Sequence, residues 1–427
     1  MLRIGLLGFG TVGRGVFQLL TQDARFKERS GLTAIISKIG IRALHKYEHE
    51  TLHGAKLCLD LREIVTDPDI DVVVECLGGE HPAYELICTA LKTGKRVVTA
   101  NKEVVAKHLP EFLKLAITHQ TDIYYEATVC GGIPIIRTLK EGLAANHVHA
   151  FYGILNGTTN FILSQIEETR REFSDVLAEA QKLGFAEADP SMDISGLDAA
   201  YKAAILCSAA FKISIPISDI FYEGIEKITL KDIDYAKELG YRIKLLGMGR
   251  QDADSISVKV HPTFIPSGHP LASVKNELNA VSIFGNAVGE VHLSGRGAGS
   301  LPTASSMVAD LINIAFTWGQ DISPQNRESL SQGKALPIHS SKSQFYLRLV
   351  LADHARALEK ITGILGHLDI SISKILQKEV HNQEAEVVIM THRVVETVMT
   401  QAMQALGQCP AIKKIENLIR IGIEEEI

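Results

Sequence analysis

The six cysteines (Cys58, Cys76, Cys88, Cys130, Cys207 and Cys409) are scattered and never form a Cys-x-x-Cys pair. That spacing suggests neither a zinc site nor a disulfide framework, and it suits a reducing compartment. A basic excess is also missing: 44 Lys and Arg stand against 50 Asp and Glu, a net charge of -6, so a nucleic-acid partner is not expected. No run of about 18 apolar residues occurs, so no membrane-spanning helix is expected. The opening Met1-Leu-Arg-Ile-Gly-Leu-Leu-Gly8 leaves no room for the apolar region and cleavage site of a signal peptide, and a cytoplasmic protein is expected. What remains is an ordinary globular composition, 46% hydrophobic and 22% charged, in 427 residues, long enough for two or three domains.

Leu2 to Leu7 read as a short buried strand, and Gly8-Phe9-Gly10-Thr11-Val12-Gly13 follows before the periodic Val16, Phe17, Leu19 and Leu20 of a helix. A G-x-G-x-x-G dinucleotide fingerprint needs this strand-turn-helix context. Gly8 allows the tight turn, Gly10 lets backbone approach a pyrophosphate, and Gly13 lets the helix pack closely, while the helix N-terminus offers unpaired N–H groups. Further strands are expected at Ala34 to Ile41, at Asp71 to Glu75 and from Arg96, alternating with helices as in a doubly wound parallel Rossmann sheet. After the second strand the chain reads Ile41-Arg42-Ala43-Leu44-His45-Lys46, with no acid for a ribose hydroxyl. Arg42 and Lys46 suit a 2′-phosphate and favour NADP(H); the alternative is two solvated surface cations, with NAD(H) bound. Lys102, in Thr99-Ala-Asn-Lys-Glu103, follows the next strand, and ligands bind beyond the carboxyl ends of parallel strands. His45, His49 and His53 fall four apart, but among Lys46, Tyr47, Glu48 and Glu50 they read as a solvated stretch rather than a metal site.

In Gly184-Phe-Ala-Glu-Ala-Asp-Pro-Ser-Met-Asp-Ile-Ser-Gly-Leu-Asp-Ala-Ala-Tyr-Lys202, acidic residues lead into a helix that carries a lysine. Asp198 and Lys202 share one helical face, and the apolar run from Ala203 to Ala210 would bury the rest of the helix, leaving the charged start at the rim of a core. Such a place suits a proton donor; an ordinary surface ion pair has the same spacing. Upstream lie Gly153-Ile-Leu-Asn-Gly-Thr-Thr-Asn-Phe-Ile-Leu163 and Glu126-Ala-Thr-Val-Cys-Gly-Gly-Ile-Pro-Ile-Ile136. In order and spacing these three segments resemble homoserine dehydrogenase, over nearly the whole chain.

The resemblance implies the reversible NAD(P)H-dependent reduction of L-aspartate 4-semialdehyde to L-homoserine, in threonine, methionine and isoleucine biosynthesis. Hydride addition to an aldehyde develops an alkoxide, which needs a proton or positive charge at that oxygen. Lys202 is the expected acid, and Lys102, matching the family's Ala-Asn-Lys motif, is expected near nicotinamide and substrate, assisting proton transfer. Glu187 and Asp198 match positions that hold substrate and supply charge for its ammonium, and Asp193 is expected to orient Lys202 or a water. Glu126-Ala-Thr-Val-Cys-Gly-Gly-Ile133 resembles a monovalent-cation loop. There the Glu126 side chain and the carbonyls of Val129, Gly131 and Ile133 would surround sodium or potassium, which prefer oxygen ligands. Cys130 stands where small residues are commoner, and a glycine-rich crossover without an ion is the alternative. A second glycine-rich turn, Gly295-Arg-Gly-Ala-Gly-Ser-Leu-Pro-Thr303, precedes a helix from about Ala304; the resemblance implies that this helix returns to the nucleotide domain and that Gly299 touches the cofactor.

Beyond Trp318 the chain turns polar and breaker-rich, and then a strand-helix-strand-strand-helix-strand pattern begins near Phe345, the order of a ferredoxin-like fold. It resembles an ACT domain, which implies an amino-acid effector such as threonine. In place of the usual Asp-x-Pro-Gly turn stands Asp353-His-Ala-Arg356, whose bulky arginine opposes close approach of a ligand, so an assembly role is expected at least as much as a sensor role. The expected divisions are a Rossmann domain over 1–126, an α/β catalytic and dimerisation domain over 127–300, the returning helix over 301–322, a linker over 323–342 and the ACT domain over 343–427. A monofunctional enzyme, assembled as a homodimer or homotetramer, is expected. The competing readings are a non-catalytic nucleotide-binding regulator and a reductase of another amino-acid semialdehyde.

Overall fold

Six short strands form one parallel sheet: β1 (Leu2–Leu7), β2 (Ala34–Gly40), β3 (Lys56–Cys58), β4 (Val72–Glu75), β5 (Arg96–Thr99) and β6 (Ile123–Tyr124), in the order β3-β2-β1-β4-β5-β6. Of these, β1, β2, β4 and β5 were expected; the three residues of β3 and the two of β6 are too few to show a period, so both were passed over. The structure is a computed structural model, and it describes all residues except 22–27, 29, 48, 49, 253, 254, 319–329, 379–383 and 423–427. His49 of the histidine stripe and much of the expected linker therefore lie outside the described residues. The chain divides into two compact units, one of Met1–Phe151, Tyr201–Ser218 and Leu278–Lys334, the other of Tyr152–Ala200, Asp219–Glu277 and Ala335–Ile427. Among the described residues no helix is long and apolar enough to cross a membrane.

In the first unit, helices Thr11–Thr21 and Ser300–Phe316 pack against each other and share one core. Leu2, Ile4, Leu6, Phe9, Val16 and Phe17 from the start of the chain meet Ala304, Met307, Val308, Leu311 and Ile314 from far downstream. The second glycine-rich segment is used differently from expectation. Gly295 and Arg296 end the strand Gly289–Arg296, which forms an antiparallel hairpin with Leu278–Gly285, and the helix begins at Ser300. Gly299, at φ +115°, makes the turn between them.

The second unit is built on two twelve-residue antiparallel strands, Tyr241–Asp252 and Ser255–Pro266. Ile412–Ile421 joins Ser255–Pro266 in parallel and Lys342–Ala352 in antiparallel, and Glu384–Thr391 and Ile372–Gln377 complete the row. With helices Ala357–His367 and Glu396–Gly407, the last four strands are the expected ferredoxin-like ACT module, filled by Phe345, Leu347, Leu349, Ile361, Leu365, Val387 and Ile389. A buried polar network fastens helix Leu230–Glu238 to it. Asp232 accepts the Arg348 Nε–H at 2.8 Å, the Tyr346 hydroxyl at 3.0 Å and the Asn417 amide at 3.0 Å, and it closes a capping box with Thr229. Burial alone would raise the Asp232 pKa, but the guanidinium beside it and these donors hold it below the ordinary carboxylate value.

Arg356 keeps the backbone conformation that suits the glycine of the family pattern. Its backbone lies in the left-handed region at φ +72°, where a glycine carries no Cβ penalty, and its side chain is exposed. Arg356→Gly is expected to raise stability by about 1 kcal/mol, read as a higher denaturant midpoint. An unchanged or lower midpoint would show that the arginine earns its place through its side chain.

Candidate active site

The fingerprint turn follows directly from backbone geometry. Gly8 has φ +95°, and a Cβ there would stand 2.9 Å from the Cys76 carbonyl oxygen; a Cβ at Gly13 would run into the Gly8 carbonyl. Nothing lies within 4 Å of a Cβ placed at Gly10, so the turn is open on the side where a pyrophosphate would come. The turn borders a cleft of about 280 Å³ lined by Phe9, Gly10, Arg42, Lys46, Tyr47 and Leu77, among others. Both basic residues singled out in the sequence thus reach the same cleft as the glycines. Arg14 lies over the rings of Phe9 and Tyr47, at 5.2 and 5.4 Å, and the Ser300 hydroxyl donates to the Thr11 carbonyl at 2.6 Å, which ties Gly299 to the fingerprint turn.

Lys102 opens the helix Lys102–Thr118, capped by Asn101, whose side-chain oxygen accepts the Val104 N–H and whose amide donates to the Gly79 carbonyl at 2.7 Å. One turn along, Lys107 pairs with Glu80 and Glu103 and lies 5.9 Å from the ring of Tyr201, the neighbour of Lys202. The segments bearing Lys102 and Lys202 are therefore close within the first unit.

Lys202 and Asp198 lie one turn apart on helix Leu197–Phe211. The charged start of this helix is deeper than a rim: Asp198 is 1% exposed and Lys202 9%. A residue not singled out in the sequence accounts for the depth. Asn156 caps helix Gly157–Thr169 by accepting the Thr159 N–H at 2.8 Å, and its amide donates to Asp193 Oδ1 at 2.7 Å and Asp198 Oδ2 at 2.8 Å. Thr158 adds its hydroxyl, 3.0 Å from Asp193 Oδ2 and 2.6 Å from the Phe185 carbonyl. The Asn156 amide thus bridges two acids distant from it in sequence, of which Asp198 is buried and Asp193 partly so. Glu187 differs: it is exposed, on the segment between helices Phe173–Lys182 and Ser191–Ile194, with its carbonyl held by Gln181.

In the turn from Glu126 to Ile133, Cys130 and Gly131 both have positive φ, +54° and +47°. Glu126 is buried, and its two oxygens accept the N–H groups of Ile136 and Arg137, each at 2.8 Å, so its carboxylate caps the short helix Ile135–Arg137. Burial pushes this carboxyl up from its ordinary value, against those bonds. The Gly131 carbonyl accepts the Ser306 hydroxyl at 2.6 Å. Oxygen donors suited to a hard cation are present, but the expected side-chain ligand is already engaged with the helix. Among the described residues no three His, Cys, Asp or Glu side chains gather as a metal site.

Family models match three stretches of the chain: the NAD-binding domain of homoserine dehydrogenase over residues 8–126, homoserine dehydrogenase over 134–312 and the ACT domain over 345–411. A homoserine dehydrogenase of Bacillus subtilis is 39% identical over 430 residues, covering 98% of each chain. The crystal structure of a homoserine dehydrogenase from Thiobacillus denitrificans superposes with a TM-score of 0.92 at 39% identity, covering 98% of each chain. A hyperthermophilic archaeal homoserine dehydrogenase in complex with NADPH matches 75% of this chain and 99% of its own, with a TM-score of 0.64 at 27% identity.

Proposed function

Because the chain belongs to the homoserine dehydrogenase family, NAD(P)-dependent oxidoreductases that interconvert L-aspartate 4-semialdehyde and L-homoserine, we propose a role for each of its site residues. The bound nicotinamide supplies or accepts the hydride. Lys202 gives a proton to the C4 oxygen as the alkoxide forms and takes it back when homoserine is oxidised. Asp198, held by Asn156, places its carboxyl one turn from that lysine, and Asp193 on the same amide steadies it. Exposed Glu187 meets the substrate ammonium, and Lys102, at a helix start beyond a parallel strand, stands where nicotinamide and substrate meet. The observation that carries this reading is the pairing of Asp193 and Asp198 on one amide, with Asp198 one turn before a buried lysine.

The cofactor is NADP(H) in preference to NAD(H). Arg42 and Lys46 line the cleft beside the glycine turn, with no acid at the end of β2 to receive a ribose hydroxyl, and guanidinium and ammonium groups suit a phosphate. The archaeal relative with NADPH bound agrees with this preference. Purified protein given L-homoserine at alkaline pH should reduce NADP faster than NAD. Arg42→Ala should raise the KM for NADP about tenfold while leaving that for NAD nearly unchanged. Equal effects on both cofactors would remove the 2′-phosphate contact, and no homoserine-dependent reduction at all would favour another semialdehyde or a regulatory role.

The turn from Glu126 to Ile133 would take sodium or potassium through the carbonyls of Val129, Gly131 and Ile133, with Glu126 lending charge from its capping position. The ACT module serves assembly into a homodimer or homotetramer at least as much as effector binding, since Arg356 occupies the glycine position of its ligand turn. Saturable inhibition by threonine, lost when residues 343–427 are removed, would reverse that order.

A further inference from the structure

Glu75 ends β4 fully buried, at 0% exposure, and no Asp, Glu, Lys, Arg or His pairs with it among the described residues. Its Oε1 accepts the Leu77 N–H at 2.6 Å, and its Oε2 accepts the Thr99 hydroxyl at the end of β5. That hydroxyl in turn accepts the Asn101 N–H at 3.0 Å, and the Asn101 amide reaches back to the Gly79 carbonyl. One carboxyl therefore closes a ring of bonds. The ring joins the loop from Cys76 to Gly79, part of which lines the nucleotide cleft, to the turn that starts the Lys102 helix.

A carboxylate is a costly way to join two loops, because nothing but neutral donors offsets its burial. A hydroxyl or amide could bridge the same groups at less cost, so the full acceptor capacity of the carboxylate is the property being used. We propose that Glu75 is a positioning residue for hydride transfer, holding the cofactor-lining loop and the Lys102 turn in one fixed arrangement. The proposal rests on the dehydrogenase reading above. Its state follows pH in the working range: burial lifts the carboxyl to about 7, although the bonds from Thr99, Leu77 and Asn101 act the other way. Among the described residues the titratable neighbour that feels it is the partly buried thiol of Cys76, held well above its ordinary pKa by desolvation and by Glu75. Once protonated, Glu75 can still accept the Leu77 N–H but offers an O–H to Thr99, whose hydroxyl must turn from donor to acceptor, so the bond joining the two strand ends is rearranged.

The test compares Glu75→Gln and Thr99→Val with the parent enzyme, reading kcat, the KM for homoserine, NADPH affinity by fluorescence, and melting temperature from pH 6 to 9.5. Glu75→Gln mimics the protonated state. Its kcat at pH 8.5 should fall about tenfold with the KM for homoserine unchanged, and the rise of turnover between pH 6 and 8 should flatten. Thr99→Val should reproduce the loss of kcat, and it carries the test should Glu75→Gln fail to fold. Parental kcat and pH profile in a folded variant would overturn the proposal, as would a loss seen only as a lower melting temperature. A parent that binds NADPH but does not oxidise homoserine overturns the dehydrogenase roles instead. In that case the lock is judged on NADPH affinity, which Glu75→Gln should weaken about fivefold and which an unchanged value would refute.

Discussion

Replacing Lys202 with alanine is expected to lower homoserine-dependent turnover about 1000-fold while NADP(H) binding and melting temperature stay near those of the parent. Lys202 is the cation nearest in sequence to the two acids held by Asn156, and its helix is anchored by the buried Ala203, Ile205, Leu206 and Cys207. Removing it should therefore leave the fold intact and take away the group that protonates the C4 oxygen. Lys202→Arg separates proton transfer from charge. A guanidinium keeps the positive charge but cannot release its proton near neutral pH, so oxidation of homoserine should remain depressed in that variant. Restored oxidation with arginine would reduce the lysine to an electrostatic role, and a turnover within threefold of the parent for Lys202→Ala would remove it from the chemistry.

Arg348→Met should destabilise the second unit by about 3–5 kcal/mol, on the order of 10 °C in melting temperature, because it strips the cation from a carboxylate with 0% side-chain exposure. Arg348 itself touches Asp232, Glu386 and Thr229, so its loss leaves several buried oxygens short of donors. Removing both charges in an Asp232→Leu, Arg348→Met double variant should recover part of the loss, since no unpaired charge then remains inside. The pH dependence has a definite sign. The folded pKa of Asp232 is depressed, so its contribution is fully present above the unfolded value of about 3.9 and fades as pH falls through the folded value. Melting curves recorded between pH 2 and 6 should show that acid limb in the parent and a weaker one in Asp232→Asn. Identical limbs would place the acid sensitivity elsewhere.

The parts of the site that could be read from the sequence are those whose cause is local. Gly8 needs a positive φ, and Asp198 with Lys202 needs only a helical period, so both were visible in a few residues. The ferredoxin-like module was visible for the same reason, as alternation and helical period follow one another within about 80 residues. What escaped depends on distant partners. Asn156 stands 42 residues before Asp198, and only its place ahead of Gly157-Thr-Thr, a favourable N-cap, could have flagged it. Glu75 ends the run Val72-Val-Val-Glu, where an acid closing an apolar parallel strand was the available signal. Lys202 and Asp198 proved deeper than an amphipathic pattern implies, with Asn156 from another helix start reaching in to Asp198. The Glu126 side chain was read as an ion ligand from the resemblance of its turn to a cation loop, and its bonds to the N–H groups of Ile136 and Arg137, ten and eleven residues on, were not visible in that motif.

The returning helix sets an order of events during synthesis. The sheet from β1 to β6 is complete once residue 124 has been made, yet the apolar face that Ala304, Met307, Val308, Leu311 and Ile314 will cover must wait for residue 314. At ribosomal speed that interval is on the order of 10–40 s, much longer than the collapse of a chain this size. Throughout it, Val16, Phe17 and their neighbours are offered to any other apolar surface, a chaperone or a second nascent chain included. The nucleotide-binding sheet is therefore translated well before the helix that finishes its core.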